Sequence, residues 1–275
     1  MPNLWYWLLE LLGVTRKPRP IVSGKTQGWY GRVNSWSCGK KFVLRRDLDL
    51  CKKYGVDGYH IELVGWTDFD KDPASYRSQK YYKTVRNRYK WLVKACRARG
   101  LWLFVSVVND NAGKHGEANN PRLEQQQDNV RFAFEQVFKN GPRNVIVQPV
   151  AEIQTGYGSK LNHQMTAELV SAGFQTVYNG AGRASAPGDG SHWYAVHPAH
   201  VTDTYKPPAF VVSDHSLIIR ELNKGNTLDG MGNPGAIKWW RYRCIMAGNP
   251  VVCFYHYAYD GGKGSDKKAI RAMGE

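Results

Sequence analysis

Three carboxylates in this chain stand where acids could move protons. They are Glu62 in Asp57-Gly58-Tyr59-His60-Ile61-Glu62-Leu63-Val64, Glu152 in Gln148-Pro149-Val150-Ala151-Glu152, and Asp214 in Ala209-Phe210-Val211-Val212-Ser213-Asp214. Each falls late in an apolar, β-rich run. Residues two apart on a strand share a face. His60 and Glu62 therefore lie opposite Tyr59, Ile61 and Leu63; Ile146, Gln148, Val150 and Glu152 share a second face; Phe210, Val212 and Asp214 share a third. One protonated acid can donate to a leaving oxygen while an ionised partner attacks or activates water. An isolated acid at a strand end is often only an N-cap or an ion-pair partner. Three of them among aromatic residues point to a site, because an unpaired carboxylate is costly to bury. Asp110, in Asn109-Asp110-Asn111, is a weaker catalytic candidate.

The substrate contacts expected around these acids are His60, Trp66, Asn109, Asp110, Tyr157, Asn179, His197, Tyr255 and His256. Trp29, Trp36, Trp66, Tyr157, Trp193 and Tyr255 are candidates to stack on flat ligand faces, a duty they share with filling cores. His60-Ile61-Glu62, His197-Pro198-Ala199-His200, Asp214-His215 and His256 suggest a second chemistry, a divalent metal of the kind held by barrel amidohydrolases. Those enzymes carry His-x-His on the first strand, which is absent here, and Pro198 works against helical spacing of the two histidines. No metal ligand set and no cofactor is expected. A phosphate-binding loop, a Gly-x-Ser-x-Gly elbow and a His-Glu-x-x-His pair are all absent.

The elements that must position these residues show as alternation. A helix from about 42 to 54 feeds strand 57–64, and a helix ending at Gly100 feeds strand 101–108. A helix over 122–138 feeds strand 144–150, and one over 163–172 feeds strand 174–178. Runs at 193–197 and 209–214 follow, then a helix at 237–247 and a last strand at 251–257. An eighth strand must precede the first helix, with 26–31 as its best candidate. At 275 residues, eight strands with intervening helices predict a single-domain (β/α)8 TIM barrel over residues 21–275. An open doubly wound sheet would need a Gly-x-Gly-x-x-Gly turn, and there is none. The irregular stretches 65–75, 109–121, 180–192 and 198–208 mostly follow strands, the side where such barrels build sites.

Against this scaffold the segment Gln148-Pro149-Val150-Ala151-Glu152-Ile153-Gln154 resembles the acid/base position of the clan-A type (β/α)8 glycoside hydrolases, the cellulase- and mannanase-like enzymes. Their pattern places Asn-Glu at the end of strand four and a nucleophilic Glu at the end of strand seven. This chain departs at both points, with Ala151 before the acid and Asp214 in the second place. The resemblance implies a hydrolase cleaving glycosidic bonds of a polysaccharide or cell-wall glycan, with Glu152 as acid/base and Asp214 as second carboxylate. Glu62 could replace Asp214 or hold a substrate hydroxyl. Asp is one methylene shorter than Glu, which would widen the gap, admit a water and give inversion; carboxyls about 5 Å apart would argue for retention. The alternatives are a glycan-binding or structural barrel module without catalysis, and a metal-dependent barrel hydrolase.

The formal charge of +15 attracts polyanions, so an anionic glycan or envelope is a fitting partner. Nine Lys or Arg and no acid fall between Pro73 and Gly100, which makes a basic rod without any nucleic-acid-binding motif. Cys51, Cys96 and Cys244 sit in helical patterns and Cys253 in an apolar run, as buried thiols of a reducing compartment would. Residues 1–20 read as an apolar, then basic extension. Leu4-Trp5-Tyr6-Trp7-Leu8-Leu9 is too short to span a bilayer and lacks the leading charge of a secretion signal. An amphipathic helix is expected there, docking on the barrel, a partner or a membrane surface. Cytoplasmic synthesis, or association with a virion, is the expected setting.

Overall fold

Val, Ile, Leu, Phe and Tyr dominate the short runs because such side chains suit a parallel sheet covered on both faces. A computed structural model describes residues 4–22, 25–33, 41–64, 79–110, 123, 127–151, 153, 155–178, 191–196, 216–219, 234–246, 251–257 and 267–274. The strands are β1 Gln27–Val33, β2 Gly58–Val64, β3 Trp102–Asn109, β4 Val145–Ala151, β5 Gln175–Tyr178, β6 Trp193–Val196, β7 Ser216–Ile219 and β8 Val251–Tyr257. Neighbours pair in parallel and in chain order, and β8 returns to β1, so the sheet closes into an eight-stranded barrel. The described helices are α1 Leu4–Leu11, α2 Lys41–Lys53, α3 Gln79–Arg99, α4 Gln127–Asn140, α5 Gly156–Ser171, α6 Pro234–Met246 and α7 Lys267–Gly274.

Helix ends set the entry into the strands. Gly55 and Gly100 adopt φ of 76° and 63°, a left-handed conformation open to glycine without a Cβ penalty. Behind each, the chain closes on its helix, with Val56 N–H donating to Cys51 O at 2.9 Å and Leu101 N–H to Cys96 O at 3.0 Å. Strand parity then sorts the side chains into two cores. Tyr59, Ile61 and Leu63 join Leu103, Val105, Val145 and Val147 against the helices. Trp29, Phe104, Ile146, Val177, Val251 and Cys253 pack inside the barrel. Close packing here leaves no slack: a Cβ at Gly58 would sit 2.6 Å from the Trp29 ring. Cys51, Cys96 and Cys253 are buried free thiols, and burial pushes the Cys96 pKa up to about 12.

Residues before β1 lie across the amino end of the barrel. Arg16 N–H donates to Arg97 O at 2.8 Å, and the Asn144 amide donates to Arg16 O at 2.9 Å. The Trp102 indole donates to Arg19 O at 2.9 Å, the Gln27 amide to Pro20 O at 2.8 Å, and the Arg19 guanidinium pairs with Asp57. The extension is thus part of the barrel's closure.

Two expectations need correcting. The seventh strand described is Ser216–Ile219, which pairs with β6 and β8; the expected run 209–214 lies outside the described residues. Asp214 therefore precedes β7 in the chain instead of ending it. The helix expected from His163 begins at Gly156, where the Thr155 cap outweighs two glycines. A further helix, α7, was not anticipated from the sequence. It is short, and buries Ala269, Ile270, Ala272 and Met273.

Candidate active site

Three layers follow one another along the barrel axis. The apolar layer of Trp29, Phe104 and Ile146 fills the amino half, with Trp29 and Phe104 ring centroids 5.8 Å apart. Next comes a buried polar row across β2, β3 and β4. His60 Nε2 lies 2.9 Å from Ser106 Oγ, and the Ser106 hydroxyl donates to Gln148 Oε1 at 2.8 Å. The His60 ring rests on Phe104, centroid to centroid 4.5 Å, so the apolar layer fixes the plane of the imidazole. Above this row, toward the carboxyl ends of the strands, stand Glu62 and Asn109, 1% and 3% exposed. The Asn109 amide donates to Glu62 Oε1 at a long 3.5 Å, and Asn109 Oδ1 is buried with no hydrogen-bond partner among the described residues.

Beside them Asp110 serves as a tether. Its Oδ2 accepts from the Thr155 N–H at 2.9 Å and the Thr155 hydroxyl at 2.8 Å. Thr155 Oγ1 in turn accepts from Gly158 N–H at 2.9 Å and caps α5. A Cβ at Gly158 would fall 2.0 Å from Asp110 Oδ2, which explains a glycine inside the first turn of a helix. The tether joins the end of β3 to the start of α5.

The structure thus brings His60, Glu62 and Asn109 together and gives Asp110 a bond of its own. Parity placed His60 and Glu62 inside, and the outward Tyr59 hydroxyl reaches Asp47 of α2 at 3.1 Å. Tyr157 lies in the helical layer, in a groove between α4 and α5 with Phe134 and Leu161. Trp29, a stacking candidate, is fully buried in the barrel floor. Glu152, Asp214, Trp66, Asn179, His197, His200, His215 and Trp36 lie outside the described residues, as do the side chains of Trp193, Tyr255 and His256. Among the described residues no three His, Cys, Asp or Glu side chains gather as metal ligands would. Ser106 and Gln148 were not expected in the site. Their register gives them away, since both pair across the sheet at the level of Glu62. In the chain, Glu152 follows Ala151, the last residue of β4, and Glu221 follows Ile219, the last residue of β7, by two positions.

No family model matches the chain, and no curated protein matches its sequence. Solved structures do share its fold. A glycoside hydrolase family 5 protein from Bacteroides vulgatus ATCC 8482 aligns over 94% of this chain and 70% of its own, at 12% identity and a TM-score of 0.61. A family 5 enzyme from Prevotella bryantii B14 aligns over 95% and 98%, at 11% identity and 0.55. A broad-specificity endoglucanase from Clostridium acetobutylicum aligns over 90% and 96%, at 11% and 0.55. At these identities the likeness is one of fold, the (β/α)8 barrel of glycoside hydrolases.

Proposed function

We propose that this barrel hydrolyses glycosidic bonds in a polysaccharide or cell-wall glycan. The observation that carries the reading is the pairing of Glu62 with Asn109 at the carboxyl ends of β2 and β3. Asn109 Oδ1 is a buried acceptor without a partner among the described residues, and a sugar hydroxyl is a donor that would satisfy it. The buried His60–Ser106–Gln148 row adjoins this pair, with Ser106 in register with Glu62. The family 5 glycoside hydrolases of like fold support the same reading, as does the Glu at the position after β4.

In this mechanism Glu152 protonates the leaving glycosidic oxygen. With retention the second carboxylate attacks the anomeric carbon and Glu152 then takes the proton of the incoming water; with inversion the second carboxylate takes that proton itself. Asp214 is the candidate from the sequence. Glu221 is the stronger one, because it follows the described part of β7 in the chain as Glu152 follows β4. A Glu pair about 5 Å apart would give retention; an Asp214 partner, shorter by a methylene, would widen the gap and favour inversion.

The test is release of reducing sugar from a panel of neutral and anionic glycans. Glu152→Gln should lose about 10³-fold or more of kcat while still binding the glycan. Glu221→Gln should lose as much if it is the partner, with Asp214→Asn far milder, and the anomer of the first product read by NMR should be retained. An unchanged rate in Glu152→Gln removes it from the mechanism. Glycan binding without turnover in the unaltered protein would identify a binding module instead.

A further inference from the structure

Helix α1 is amphipathic in reverse. A helix on a protein surface ordinarily turns its apolar stripe inward and its polar face to water. Here the inward face holds Tyr6, Leu9 and Glu10. Glu10 is gripped by Arg99 at 2.6 Å, Arg45 at 3.0 Å and the Trp91 indole at 3.0 Å, and Tyr6 lies under the Arg99 guanidinium at 4.9 Å. The outward face is Leu4, Trp5, Trp7, Leu8, Leu11 and Leu12, with Leu4 78%, Leu11 68%, Trp5 53% and Trp7 48% exposed. A contiguous apolar face of this kind marks an interaction surface.

The charges around it select the partner. Arg16, Lys17 and Arg19 follow the helix and are exposed, and α3, on which α1 leans, exposes Lys83, Arg86, Lys90 and Lys94 along one stripe. In α1, α2, α3 and residues 12–20 the acids are Glu10, Asp47 and Asp49. All three are turned to internal contacts: Glu10 and Asp49 on Arg99, Asp47 on the Tyr59 hydroxyl. The face therefore opposes an anionic surface with cations alone, around a centre of Leu and Trp. We propose that α1 and the basic residues beside it dock the protein on the surface of a lipid bilayer rich in anionic headgroups. The apolar side chains would enter the boundary between headgroups and acyl chains, where Trp is favoured, and the Lys and Arg would meet lipid phosphates. Among the described residues no helix is long and apolar enough to cross a membrane, so the mode is lying on the surface. Arg99 ends α3 at the amino end of the barrel, so docking through α1 leaves the carboxyl-end mouth facing elsewhere.

The experiment is co-flotation of the full chain with vesicles of phosphatidylcholine alone and of an equal mixture of phosphatidylcholine and phosphatidylglycerol. Binding should be at least about tenfold tighter to the mixed vesicles and should weaken with salt. Trp7→Gln with Leu11→Gln should weaken it by a further tenfold or more. Lys90→Glu with Lys94→Glu should act on the mixed vesicles and leave the weak binding to phosphatidylcholine unchanged. Both variants change exposed positions, and a circular dichroism melt checks that they fold. The proposal is overturned if folded protein fails to float with either vesicle. It is also overturned if sedimentation shows a dimer that the Trp7 and Leu11 substitutions dissociate, since a second copy would then own the face.

Discussion

The two ends of the barrel are built from the same strands to opposite purposes. At the amino end, residues 14–20 cross the strand starts and bond to Arg97, Trp102, Asn144 and Gln27. Trp29, Phe104 and Ile146 fill the space behind them. At the carboxyl end the same β2, β3 and β4 turn His60, Ser106, Gln148 and Glu62 inward, all buried. An apolar layer of equal volume there would cost nothing in desolvation. Parity decides only which residues face inside. Position along the strand decides whether the inside is a floor or a site.

The contrast can be broken by cutting at each end. Trp29→Ala should have the largest effect, about 3–5 kcal/mol of unfolding free energy in urea denaturation, because the ring is wholly buried against Phe104 and Gly58. Molecules that remain folded should keep their turnover per active site. Next, Thr155→Ala removes the α5 cap and takes from Asp110 its hydroxyl donor while the backbone N–H remains, which should cost about 1–2 kcal/mol. Here turnover should fall as well, if Glu152, three positions before Thr155 in the chain, is the acid. If Trp29→Ala lowered specific activity and Thr155→Ala did not, the division between floor and site would be wrong.

The barrel was legible because most of its strands are apolar runs, several of them set between helices, and the weak eighth, 26–31, was required by the count. It became β1. Parity on β2 was equally legible, since Tyr59, Ile61 and Leu63 so plainly suit the helical face. What sequence could not supply was the run 216–219 as a strand, which shows in its pairing with β6 and β8. Glu221 follows the last described residue of that strand by two positions in the chain. Nor could sequence show that Asp110 is held by Thr155, because that bond joins residues 45 positions apart. Ser106 carries no motif at all, and only the register of β3 and β4 makes it and Gln148 neighbours of Glu62.

A smaller cut sharpens the carboxyl end. Ser106→Ala removes the link between His60 and Gln148 and should cost about 1 kcal/mol of stability. If the row orients the acids above it, kcat should fall several-fold with KM little changed, and Ser106→Thr should recover part of the loss. A purely structural row would lower stability and leave kcat alone.

The smallest effect is expected at the fastening of α1, and it depends on pH. Burial raises the pKa of Glu10, but hydrogen bonds from Arg99 and Arg45, the charge of Arg99 and the Trp91 indole outweigh it and hold the carboxyl below its ordinary 4.5. A carboxylate whose folded pKa is depressed stabilises the fold above the unfolded pKa, and that contribution is lost as pH falls through the folded pKa. Glu10→Gln should therefore weaken the protein at pH 7 by about 1 kcal/mol. The deficit should shrink as pH falls from about 4.5, where the carboxyl of the unfolded chain takes up its proton, through the lower folded pKa, where Glu10 protonates in place. Urea denaturation of both proteins at a series of pH values reads the difference. A gap that stayed constant into acid would mean that the shape of Glu10, rather than its charge, fastens α1. In either case turnover per folded molecule at pH 7 should not change, because Glu10 bonds to Arg99 at the amino end, away from the mouth.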